Sequence, residues 1–94
     1  MAANRDLSIR EIDALVDFRL RLIRFSQALT EDFAALERHW HGLHDTWSDD
    51  MYDRLGTAIA EVTPGIKKYL AATEQHAAYL RRTIERARAV TEGR

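Results

Sequence analysis

The chain has 94 residues, with 14 Lys plus Arg against 15 Asp plus Glu and no cysteine. A single domain of this length has a marginal hydrophobic core unless its helices pack very well or a second chain helps, so a partner is expected from size alone. Even charge excludes bulk attraction to nucleic acid or an anionic membrane, and lack of cysteine excludes disulfides, thiolate metal sites and a cysteine nucleophile.

The stretch from Met1 to Ser8 is polar, carries Arg5 and Asp6, and has no apolar run behind it. It does not read as a secretory signal, and no segment approaches membrane-spanning length. The expectation is a soluble protein, cytoplasmic when made. A helix start follows at once: Ser8 can cap, Glu11 can reciprocate in a capping box, and Leu7 can staple onto Ile12. The first helix is predicted over about 8–44. Leucines recur at every seventh position, Leu15, Leu22, Leu29, Leu36 and Leu43, with Ile12, Phe18, Phe25, Phe33 and Trp40 three or four residues away. That spacing is a helix-packing seam. A second set, Val16, Leu20 and Ile23, widens the apolar surface beyond what one antiparallel neighbour covers.

Asp45-Thr46-Trp47-Ser48-Asp49-Asp50 gathers capping residues and acids suited to the first turn of a new helix. The joint is placed at about 44–48. Gly42 is a competing break, but Leu43 continues the heptad series past it, so the first helix is expected to run through or fray there. A second helix, about 48–91, follows from Trp47, Met51, Leu55, Ile59, Val62, Ile66, Tyr69 with Leu70, Thr73, Ala77, Leu80, Ile84 and Ala87. Pro64-Gly65 interrupts it. Proline in a helix interior costs about 3 kcal/mol, and Thr63 with Pro64 could start a third helix, giving segments near 48–62 and 64–91. The apolar phase holds across the proline, which favours one kinked rod. The fold expected is all-α: an antiparallel two-helix hairpin, one domain over 1–94. Arms of roughly 60 Å, at about 1.5 Å per residue, leave no closed core. The usual remedy is a dimer that forms a four-helix bundle.

In length, hairpin pattern and mid-chain tryptophan motif the chain resembles the Trp-X-Gly (WXG) family of small helical-hairpin proteins of type VII secretion. The literal tripeptide is Trp40-His41-Gly42; a second register, favoured because it falls at the expected joint, is Trp47-Ser48-Asp49, with Asp in place of Gly, followed by Tyr52 and Leu55. The resemblance implies an obligate dimer with itself or a homologous hairpin, export without a cleaved signal peptide through a machine driven by a secretion ATPase, and no enzyme activity. It also implies a possible larger secreted effector as partner. The family's export signal, a Tyr with an acid four residues on, is missing: Thr73 follows Tyr69 and Thr83 follows Tyr79 at that distance. A partner chain would then supply the signal, or the protein stays inside as a chaperone-like partner.

Other candidate chemistry reads as surface or capping. His39, His41 and His44 stand near Asp45, Asp49 and Asp50, but on a helix His39 and His41 point about 200° apart, whereas metal ligands share one face. His76 lies on the second helix. Asp49 and Asp50 could act as acid and base only inside an enclosed pocket, which a slender hairpin does not offer. Arg19, Arg21, Arg24, Arg81, Arg82, Arg86 and Arg88 are interleaved with acids such as Asp17, Glu74 and Glu85 and have no aromatic stacking platform, so no nucleic-acid binding is expected. No cofactor is expected either. The residues singled out for partner recognition are Trp40, Gly42, Trp47 and Asp49; those for dimer or hairpin packing are Leu15, Phe18, Leu22, Phe25, Leu29, Phe33, Leu36, Leu55, Ile59 and Leu80. Both tryptophans equally suit closing the bundle end. The competing function is a cytosolic homodimeric structural adaptor that is not secreted; a metal- or nucleic-acid-binding regulator is the third.

Overall fold

A computed structural model of the chain describes residues 7–93. They form two α-helices, α1 (Ile9–Leu43) and α2 (Asp50–Glu92), paired as an antiparallel hairpin. The polar stretch before Leu7 and the terminal Arg94 lie outside the described residues.

The start of α1 is the reciprocal cap. Ser8 Oγ accepts from the Glu11 N–H at 3.1 Å, and Glu11 Oε1 accepts from the Ser8 N–H at 3.0 Å. Each bond satisfies a donor that a helix end otherwise leaves free. Four positions after the cap, Ile12 is buried. Helix α1 ends on the Leu43 carbonyl, which accepts from Thr46 N at 3.0 Å, Trp47 N at 2.7 Å and Thr46 Oγ1 at 3.3 Å. Gly42 lies inside the helix, one residue before its end. The joint is slightly later than the sequence implies: Trp47 and Ser48 precede α2, and Asp49 caps it by accepting at Oδ1 from Met51 N (2.9 Å) and Tyr52 N (3.3 Å).

Helix α2 runs through Pro64 without a break, so 64–91 is not a third helix. Pro64 cannot donate to the Ala60 carbonyl. Thr63 turns its hydroxyl onto Ile59 O at 2.7 Å. Ile59, Thr63, Ile66 and Leu70 are half-buried on one face across the proline; continuous packing on both sides outweighs the local penalty.

Contacts gather into two units, one joining the segments up to Phe25 and from Thr73, the other Ser26–Ala72. In the first, Ile12, Thr73, Ala77 and Ile84 are the buried residues. There Arg19 Nε donates to the Ala77 carbonyl at 3.0 Å. The Thr83 hydroxyl oxygen is buried with no hydrogen-bond partner among the described residues. In the second unit Tyr52 is the buried residue, 6% exposed.

The packing seam changes hands along α1. Leu15, Leu22 and Leu29 are half-buried and Phe18 and Phe25 point outward; further on Phe33 and Trp40 are half-buried and Leu36 and Leu43 point outward. Seven residues fall about 20° short of two helical turns, so the leucine series slides off the α2 face. The eight-residue step from Phe25 to Phe33 returns the aromatic series to it. On α2, Ile59 and Leu80 are half-buried, whereas Leu55 points outward. Phe18, Phe25, Leu36 and Leu55 therefore stand half-exposed in the single hairpin.

Candidate functional site: an aromatic tip and its groove

The residues around the joint converge on Tyr52. The indole of Trp40 stacks on its ring, centroids 4.5 Å apart and 9° from parallel, while Trp47 (6.4 Å, 86°) and His44 (5.3 Å, 63°) present edges to it. Offset stacking and edge contacts are the arrangements aromatic quadrupoles favour. Both indole N–H groups are used internally. Trp40 Nε1 donates to the Tyr52 carbonyl at 3.0 Å, and Trp47 Nε1 donates to Asp49 Oδ2 at 2.9 Å. Asp49 thus caps α2 with one oxygen and holds Trp47 with the other.

Trp40 owes its position to a glycine, though not the motif one. A Cβ built on Gly56 would lie within 2.8 Å of Trp40 Cη2 and closer still to Cζ2, so the indole fits only because Gly56 has no side chain. Gly42 has nothing within 4 Å of such a Cβ, and no glycine among the described residues has positive φ. Sequence reasoning missed both Tyr52 as the hub and Gly56 as the notch. The available signal was Gly56 itself, in a helix interior, where glycine costs about 1 kcal/mol and implies a packing reason.

Beside the cluster lies an open groove of about 400 Å³, lined from α1 by Glu37, Trp40 and His41 and from α2 by Gly56, Ile59, Ala60, Thr63 and Pro64. The His41 ring lies 4.7 Å from that of Trp40. The remaining candidates are dispersed. His39 Nδ1 donates to the Ala35 carbonyl at 2.7 Å, and the described residues hold no group of three or more His, Asp or Glu placed for a metal ion. His76 falls in the other unit. Asp50 pairs with Arg54 at 2.9 Å, Asp17 with Arg21 at 2.8 Å and Glu85 with Arg81 at 3.8 Å, all exposed (i, i+4) pairs. Its hydrogen bond to Asp17, with their mutual attraction, raises the Arg21 pKa. Arginine is charged at ordinary pH regardless. No helix among the described residues is long and apolar enough to cross a membrane.

The chain matches no protein-family model, no curated protein and no solved structure.

Proposed function

We propose that the chain is a non-catalytic protein–protein interaction module that pairs with a second helical hairpin, its own copy or a homologous one, in a four-helix bundle. The observation that carries this reading is a stripe on the second unit. Leu36 and Leu43 on α1 and Met51, Leu55 and Val62 on α2 are each 40–52% exposed. At 100° per residue, the α2 members fall within about 40° of one another, and both sets lie on the same flank of the antiparallel pair. Burying such a stripe is favourable by about 25 cal/mol per Å² of apolar area. Sedimentation or light scattering at micromolar concentration should give twice the 10.9 kDa chain mass, or else a chain that becomes stable only with a co-expressed partner. A fully helical, stable monomer would overturn the reading.

Within that module, the WXG-like pattern favours a type VII secretion substrate or the small partner of a larger secreted effector, delivered to a secretion ATPase. The positions four residues after Tyr69 and Tyr79 bear on how export would work. Thr73 is buried, 4% exposed, and the Thr83 oxygen is buried too. An acid at either place would place a charge in the packed face, so this chain has no room for the Tyr-plus-acid signal there and the partner would carry it. The same observation favours the second reading, an adaptor that stays in the cytoplasm. Comparing culture supernatants with and without a co-expressed partner separates the two: export that depends on the partner supports the first, and retention in both cases supports the second.

A further inference from the structure

We propose that the groove beside Trp40 is a recognition site for one cationic side chain, arginine or lysine, presented by a partner polypeptide. This site is separate from the pairing surface proposed above, because the groove and the apolar stripe are on different sides. Glu37 and His41 stand about 100° or more round α1 from Leu36 and Leu43, and Ala60 and Pro64 are nearly opposite Leu55 and Val62 on α2. A second hairpin on the stripe leaves the groove open.

The chemistry of the occupant follows from counting donors and acceptors in the lining. Of its side-chain donors, the Trp40 indole N–H is committed to the Tyr52 carbonyl at 3.0 Å and the Thr63 hydroxyl to Ile59 O at 2.7 Å, which leaves the His41 ring at the rim. Two acceptors lack their usual partners. Glu37 is half-buried and makes no ion pair or hydrogen bond among the described residues. The Ala60 carbonyl lacks its regular helical donor because position 64 is proline. Ile59 and Pro64 supply apolar walls, and Trp40 supplies an aromatic surface. A space with apolar walls, a lone carboxylate, a carbonyl and an indole suits an aliphatic stem ending in a donor-rich cation. The surrounding unit agrees in sign: in Ser26–Ala72 acids outnumber Lys and Arg by eight to four. An anionic group would be repelled by the Glu37 carboxylate, and a neutral donor would gain less from it than a cation does.

The probe is N-acetyl-L-arginine amide, with N-acetyl-L-lysine amide and the uncharged N-acetyl-L-norleucine amide alongside, titrated into ¹⁵N-labelled protein. Both cationic probes should move the Gly56 and Ala60 amides and the Trp40 indole N–H with millimolar affinity, and norleucine amide should bind at least fivefold more weakly. Glu37→Gln should reduce arginine-amide affinity about tenfold, whereas Glu61→Gln, which removes an exposed charge outside the lining, should leave it within twofold. Equal shifts from norleucine amide, unchanged affinity in Glu37→Gln, an equal loss in Glu61→Gln, or shifts confined to the stripe would each overturn the proposal. Monomeric protein that still binds the cationic probes would count against the pairing reading and leave this one standing.

Discussion

Gly56 and Trp40 form a lock in which each residue explains the other. Alanine is the better helix former by about 1 kcal/mol, so a Gly→Ala change at an open helical site should stabilise the protein. Gly65 is such a site, with nothing within 4 Å of the new Cβ. Gly65→Ala should therefore raise stability by up to about 1 kcal/mol in urea denaturation. Gly56→Ala should lower it by about 2 kcal/mol, because the indole must leave its seat on Tyr52, as in other overpacked sites. If the two variants behaved alike, the close approach of Trp40 would be wrong. Asp49 is testable in the same way: Asp49→Ala should cost about 1 kcal/mol, and Asp49→Asn, which still caps, much less. At this scale the sequence exposed only part of the site. Asp49 was legible as a capping residue and the tryptophans as tip residues. Their shared partner, Tyr52, was not, because its burial depends on what α1 brings across the joint.

At the scale of the helices, local signals were strong where they satisfy backbone groups and weak where packing decides. Ser8 with Glu11, and the run of acids before Met51, identify both helix starts because few other arrangements satisfy the free N–H groups there. The heptad leucines identified a seam but not its drift, since a seven-residue repeat names a face only when the helix supercoils to match it. Phe18, Phe25, Leu36 and Leu55 therefore read as packed and stand outward in the single hairpin. Pro64 was ambiguous between a break and an interruption because its local cost is certain, whereas the packing gain on either side depends on the other helix. That cost should be recoverable: Pro64→Ala restores a donor to the Ala60 carbonyl and should stabilise the protein by about 2 kcal/mol in thermal or urea unfolding. A destabilised variant would mean the proline ring itself supports the fold.

For the molecule as a whole, the seam and the stripe make different demands. Phe33 is half-buried between the helices, so Phe33→Asp places an unpaired charge in the seam and should abolish the helical circular-dichroism signal. The same outcome is expected at Leu29. Leu36→Glu combined with Val62→Glu touches only outward positions. That pair should leave the hairpin helical while halving its mass in solution, and a double variant that still pairs would place the interface elsewhere. The all-helical hairpin was legible from periodicity alone; the partner was not, because the same apolar surface serves a copy or a homologue equally well. The aromatic tip also bears on the order of folding. The Trp40–Tyr52 hydrogen bond spans 12 positions of chain and the Arg19–Ala77 bond spans 58. Closing the shorter loop costs about 1.4 kcal/mol less chain entropy, so folding is expected to begin at the turn, and slowing of refolding should be greatest for changes at Tyr52.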